Sequence, residues 1–212
     1  MAQSTREILV ESYLDHLDLA KIFGRIAPLQ VDLGCGDGWF LFQLAEQYPE
    51  KNFLGIERLA HRIEKASRKA NKIGNMRVLR SETAYAVEFL LPPESVETFH
   101  LLFPDPWPKH RHHRRRIVTN HFLSTIHRTL APNGILRIAT DHLDYFQQIE
   151  RLIFKTTASE ASKFDNLKRS NHSGFEIDED HCDFPMTRFE MKFRAASAPI
   201  YRLSLRKISL FA

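Results

Sequence analysis

The chain has 212 residues, 43% of them hydrophobic, which suffices for one sizeable core and is too short for two comfortable domains. No stretch approaches the roughly 18 consecutive apolar residues of a membrane-spanning helix, which argues against a membrane protein. Its 30 Lys and Arg against 26 Asp and Glu give a formal charge of +4, too small an excess to name a partner unless it is concentrated somewhere.

Residues 1–28 read as a helical lead-in to one domain over residues 29–212. Met1 to Glu11 is polar and mixed in charge, unlike a secretory leader, and Cys35 and Cys182 are the only cysteines. Together these predict a reduced, cytoplasmic setting. From about residue 29 to residue 157, strand-length apolar runs alternate with helical patterns, as in βαβ units that build a parallel sheet. Leu29 to Leu33 is the first strand, Trp39 to Gln47 a helix and Phe53 to Glu57 the second strand. Leu59 to Ile73 carries Ile63, Ala66, Ala70 and Ile73 at helical spacing, with Arg and Lys on the other faces and Gly74 as terminator. Arg77 to Leu79 is a short third strand and Ala84 to Leu91 a helix stopped by Pro92 and Pro93. Val96 to Phe103 is a fourth strand, Ile117 to Leu130 a helix, Pro132-Asn133-Gly134 a turn, Ile135 to Thr140 a fifth strand and Leu143 to Thr156 a helix. Ala158 to Asp183 is weakly patterned and ends in Glu176 to Asp183, with five acids in eight residues. Thr187 to Phe193 and Ile200 to Ile208 alternate in the manner of an antiparallel pair at one edge. The expected fold is α/β: a Rossmann-like, mostly parallel seven-stranded sheet, helices on both faces, and a C-terminal antiparallel hairpin at its edge.

Where the first strand meets the first helix, Val31-Asp32-Leu33-Gly34-Cys35-Gly36-Asp37-Gly38 puts glycines on alternate positions. Glycine permits positive φ and lets a ligand approach the backbone. The spacing GxGxG differs from the GxGxxG that seats a pyrophosphate, and Asp32 and Asp37 would repel phosphate but welcome an ammonium. Glu57 ends the second strand, where a carboxylate accepts ribose hydroxyls, and Glu82 follows the third, near an adenine edge. Either acid could instead be a solvated loop residue. With Asp32 and Glu57, the glycine triad is similar to the S-adenosylmethionine site of class I methyltransferases.

The fourth strand runs into Phe103-Pro104-Asp105-Pro106-Trp107-Pro108, a rigid turn that holds a carboxylate and an indole beside the expected crevice. Lys109 to Arg116 follows, with five Lys or Arg, three His and no acid, suited to phosphate contacts, while Trp107 could stack a splayed base. The spacing of His110, His112 and His113 matches no zinc arrangement, and the neighbouring Arg residues would repel a cation, so no metal is expected.

At Phe103 to Arg116 the chain resembles the bacterial tRNA (guanine-N7)-methyltransferases, whose signature is an FPDPW-type loop followed by a Lys and a basic stretch. The resemblance continues through Asp32 to Gly38, Leu54-Gly55-Ile56-Glu57, Ala139-Thr140-Asp141 and Thr187-Arg188-Phe189-Glu190. It implies a class I methyltransferase that moves a methyl group from S-adenosylmethionine to N7 of a guanine in the variable loop of tRNA. By position it implies that Asp32, Glu57, Glu82 and Asp105 lie at the cofactor with Gly34, Gly36 and Gly38, and that Asp105 is also catalytic. Lys109, Asp141, Thr187, Arg188, Phe189 and Glu190 would then meet the tRNA, together with Arg111, Arg114, Arg115 and Arg116 of the basic run. Glu190 either accepts from guanine or pairs with a basic neighbour. Family members usually carry Asp or Asn where Glu82 stands. The resemblance also implies tRNA as the partner, and the expected assembly is a monomer or a homodimer.

Overall fold

The computed structural model describes residues 6–10, 12, 15–154, 175–178 and 184–208. Its strands are β1 (Glu7–Ile8), β2 (Leu29–Leu33), β3 (Asn52–Glu57), β4 (Met76–Arg80), β5 (Val96–Leu102), β6 (Leu130–Thr140), β7 (Phe175–Ile177) and β8 (Tyr201–Lys207). The helices are α1 (Leu19–Phe23), α2 (Trp39–Gln47), α3 (Ala60–Ala70), α4 (Thr83–Tyr85), α5 (Asn120–Thr129), α6 (Leu143–Phe154) and α7 (Arg188–Ala195). A wide turn over Ala86–Leu90 extends α4, and His110–Arg115 forms a tight 3-10 turn.

The strands join in one eight-stranded sheet of order β1-β4-β3-β2-β5-β6-β8-β7. The first six in that order are parallel, while β8 runs antiparallel to both β6 and β7. The chain builds outward from β2 through β3 to β4, then returns to place β5 on the other side of β2. That reversal opens a crevice beyond the carboxyl ends of β2 and β5, the place where such sheets bind ligands. Every residue of β2 and β3 is buried, as a central strand covered on both faces requires. One cluster of buried side chains includes Val31, Leu54, Phe99, Leu136 and Tyr145, and a second holds Leu41, Phe53, Ile63 and Met76.

The mostly parallel α/β sheet is as expected, and three details differ. Among the described residues the sheet has eight strands, not seven, because the lead-in supplies β1, whose Glu7 and Ile8 pair with Val78 and Leu79. Two residues are too few to carry a periodicity. Thr187 to Phe193 is not a strand. Thr187 caps α7, its hydroxyl accepting from the Glu190 amide at 3.0 Å, so Thr-Arg-Phe-Glu is a helix start and Phe189 and Phe193 are an i, i+4 pair. The outer antiparallel partner of β8 is β7, inside the weakly patterned stretch. Finally, Pro132-Asn133-Gly134 sits within β6, where Asn133 takes φ of 60° and the pairing with β5 shifts register between Val96 and Thr98.

Smaller differences concern ends. Helix α5 starts at Asn120 because Thr119 caps it, accepting from Phe122 N at 3.1 Å. Thr156, Cys182 and residues 179–183 of the acidic stretch lie outside the described residues. Within that stretch Asp178 is buried against β8, accepting from Ser204 Oγ at 3.0 Å and pairing with Arg206. No described helix is long and apolar enough to cross a membrane.

Candidate active site

Two adjoining cavities of about 390 and 340 Å³ occupy the crevice and share Gly34, Arg62, Leu102, Phe103 and Asp105 as walls. The glycine loop forms their floor. Gly34, Gly36 and Gly38 take φ of 84°, 57° and 72°, and a Cβ on Gly34 or Gly36 would stand in open space. Gly38 is tight for a different reason, since a Cβ there would meet that of Ala66 at 2.9 Å. Glycine therefore serves ligand access at two positions and helix packing at the third.

The loop's amides are largely committed inside the protein. Gly34 N and Cys35 N both donate to Ile56 O at 2.9 Å, Gly38 N to Cys35 O at 2.9 Å, and Trp39 N to Asp37 Oδ1 at 3.2 Å. A pyrophosphate would find few donors here, and it would find carboxylates instead. Asp32 is 4% exposed, and among the described residues nothing donates to its carboxyl. Burial, and then the charge of Glu57, push its pKa up to about 7. Glu57 is equally buried, accepts from Leu59 N at 2.9 Å and meets Arg62 at 3.4 Å. Asp37 behaves differently from the sequence expectation: it pairs with Lys69 at 3.5 Å and Arg188 at 3.3 Å, so its charge is largely met within the protein.

Glu82 caps α4, accepting from Tyr85 N at 2.8 Å, and lines the larger cavity and a neighbouring one of about 260 Å³. Its structural duty and its place at the cavity coexist, because a carboxylate has two oxygens.

Phe103 and Trp107 bracket the proline-rich turn with φ of 53° and 43°, left-handed values that bulky residues rarely adopt. Phe103 N is anchored to Ala139 O at 2.7 Å, and Pro106 O accepts from Arg116 Nε at 2.8 Å. Asp105, held between these anchors, is exposed and walls both cavities. Arg115 lies over the Trp107 ring, its guanidinium carbon 4.9 Å from the ring centre.

The basic run divides. Lys109, Arg111, Arg114 and Arg115 are exposed. Arg116 is not: its side chain is 1% exposed, bonds Asp144 at 2.6 Å and Gln148 at 2.5 Å, and covers the Tyr145 ring. With its guanidinium so occupied, Arg116 is a clamp that holds the turn onto α6, which corrects its expected place among the tRNA contacts.

The C-terminal candidates reach the crevice from α7. Thr187, Arg188 and Phe189 line the smaller cavity, and Phe189, 54% exposed, packs with Phe103 at 6.1 Å between ring centres. Glu190 turns away, toward Arg202 at 2.5 Å and Arg194 at 3.0 Å, so the pairing alternative describes it. Asp141 follows β6, half-buried, outside the walls of both cavities. The structure thus gathers Asp32, Gly34, Gly36, Glu57, Glu82, Asp105, Arg115, Thr187, Arg188 and Phe189 around one crevice. Arg58, His61, Arg62 and Lys65 line it too, without having been singled out from sequence. Their signal was available: they are the basic residues around the turn and helix that follow Glu57. Among the described residues no group of three His, Cys, Asp or Glu side chains is placed to hold a metal.

Comparison with known proteins agrees with this geometry. A family model described as "Putative methyltransferase" matches residues 26–203. A tRNA (guanine-N(7)-)-methyltransferase of Nitrosomonas eutropha is 40% identical over 131 residues, 61% of this chain and 58% of that protein. The match to this relative thus spans little more than half its length. One of the same name from Syntrophotalea carbinolica is 31% identical over 204 residues, covering 93% of this chain and 82% of its own. Among solved structures, the 16S rRNA methyltransferase KamB superposes with a TM-score of 0.61 over 95% of this chain and 99% of that one, at 15% identity, a likeness of fold. With the family model spanning most of the sequence and a relative aligned over nearly all of it, the chain belongs to the tRNA (guanine-N(7)-)-methyltransferase family.

Proposed function

We propose that the protein transfers a methyl group from S-adenosylmethionine to N7 of a guanine in tRNA. The observation that carries this reading is the joining of a glycine loop with committed amides and buried acids, Asp32 and Glu57, to a carboxylate turn that continues into exposed cations, with Asp105 common to both cavities. The residues present fit the cofactor: open space over Gly34 and Gly36 beside a buried Asp32 suits an ammonium group, and Glu57 suits a ribose diol. When bound, S-adenosylmethionine would supply a methyl group activated by its sulfonium.

Guanine N7 has a lone pair and no proton, so no side chain need act as a base there. The protein's contribution is to hold the base in line and keep water out. Methylation leaves the base cationic, and Asp105 is the carboxylate placed to stabilise that charge or to grip N1–H and the exocyclic amine. Phe103 and Phe189 offer stacking faces beside it, and Lys109, Arg111, Arg114 and Arg115 take phosphates. Asp141 remains a candidate tRNA contact beyond the crevice, and Arg188 and Thr187 act from α7. Glu190 acts at a distance, by ordering Arg194 and Arg202. Incorporation of labelled methyl into unmodified tRNA, with N7-methylguanosine identified in the digest, is the expected result. A protein stabilised by S-adenosylhomocysteine that modifies no tRNA would overturn it.

Asp32 adds a pH signature. In the ligand-free protein its carboxyl is protonated below about pH 7, and an ammonium requires the charged form. Affinity for S-adenosylhomocysteine should therefore rise with pH, by up to about tenfold per unit below 7, and level off above it. Calorimetric titration between pH 6 and 8 measures this, and Asp32→Asn should bind weakly with a flat profile. A wild-type affinity independent of pH would remove Asp32 from the cofactor.

A further inference from the structure

Helix α3 has two opposed faces. Ile63, Ala66 and Ala70 are buried in the core, while His61, Lys65 and Arg68 stand exposed at i, i+4 and i+7, and Lys72 continues the stripe past the helix end. Arg58 and Arg62, also exposed, lie beside it. Between Arg58 and Lys72 the sequence has a single acid, Glu64. An ordinary solvated helix face mixes signs and pairs them. Here Lys69 is paired with Asp37 and Arg62 meets Glu57, whereas Arg58, Lys65, Arg68 and Lys72 have no ion pair among the described residues.

The stripe also borders the crevice. Arg58 and Arg62 wall the larger cavity together with Asp105 and Arg115, and His61, Arg62 and Lys65 wall the smaller one together with Thr187 and Arg188. Strands β3 and β5 flank β2 on opposite sides, so α3, which follows β3, and the basic turn, which follows β5, leave the crevice on opposite sides. At about 1.5 Å per residue, His61 to Arg68 covers about 10 Å of surface leading away from the site.

We propose that the outward face of α3, from Arg58 to Lys72, is a second RNA-backbone surface, which takes the phosphates on the side of the target nucleotide away from Lys109 to Arg115. RNA anchored on one side alone would pivot about that anchor. Phosphate contacts on both sides fix register without reading sequence. The proposal rests on the tRNA reading above and adds where the rest of the strand lies.

The double variant Arg68→Gln/Lys72→Gln tests it away from the cavity walls, with Arg68→Glu/Lys72→Glu as a stronger form. Binding of unmodified tRNA is measured across a salt series, with S-adenosylhomocysteine affinity and thermal melting as controls. The Gln pair should lower the salt slope by about two, one for each lost phosphate contact, and the Glu pair should weaken binding by more than about tenfold at low salt. Both should melt like the wild type and bind S-adenosylhomocysteine equally well. If wild-type protein binds and methylates tRNA while both variants keep its slope and affinity, the α3 surface is overturned and the function stands. If wild-type protein methylates no tRNA yet binds it, and the variants lower the slope, the surface stands and the function falls. A wild-type protein that binds no tRNA overturns both.

Discussion

Replacing Asp105 by Ala should lower methyl transfer to tRNA by about 10²–10³-fold at saturating substrate while leaving the protein as stable as before. The first half follows from position. Asp105 walls both cavities, so it faces whatever bridges cofactor and base. The second half follows from what Asp105 does not do. It is exposed, and among the described residues it makes no hydrogen bond or ion pair, so its loss should shift stability by no more than about 0.5 kcal/mol. The turn is held by other groups: the Phe103 amide on Ala139 O, and Arg116 on Pro106 O. Asp105→Asn keeps an acceptor without the charge, so its rate should fall close to that of Ala if stabilisation of the cationic base dominates, and between wild type and Ala if the grip on N1–H does. Single-turnover rates, with enzyme in excess over tRNA and S-adenosylmethionine saturating, separate chemistry from binding. A rate for Asp105→Ala within a factor of three or so of wild type would remove the carboxylate from the chemistry.

The central sheet was legible because segments of strand length alternate with helical patterns, and Leu29–Leu33 as a strand and Trp39–Gln47 as a helix coincide with the observed elements. It failed where one pattern admits two periods. Thr187 to Phe193 alternates as a strand would, yet its aromatic residues also fall at i, i+4, and the Thr187 cap decides for helix. The site was legible where a residue type has one reason to be present. Alternate glycines before a helix and a carboxylate between two prolines are of this kind. Arg116 belongs to the opposite kind, because a run of Arg residues looks uniform and only packing shows which member is interior. The Arg and Lys residues off the apolar face of α3 were legible as a helical pattern, but their place beside the crevice was not, because only the folded sheet brings that face next to the site.

Arg116→Ala should cost about 2–4 kcal/mol, a loss expected of a charged donor with several fixed acceptors and a ring beneath it, and not of a surface phosphate contact. The guanidinium spans Pro106 O, Gln148 and Asp144, joining the proline turn to α6. In a chain of this size that loss corresponds to a fall of about 5–15 °C in melting temperature, whereas Arg114→Ala should leave melting nearly unchanged and weaken tRNA binding. The pH dependence carries the same signature. The Arg116 hydrogen bond holds the Asp144 carboxyl below its ordinary pKa. A lowered folded pKa stabilises the protein above the unfolded value near 4, and that contribution disappears as pH falls through the folded value. Arg116→Ala should therefore narrow its stability gap to wild type as the medium is acidified below about pH 4. Because the turn that presents Asp105 loses its anchor, the variant should also turn over slowly even with tRNA saturating, with the salt slope of binding intact. An Arg116→Ala protein that melts like wild type and loses a unit of salt slope would return Arg116 to the RNA surface.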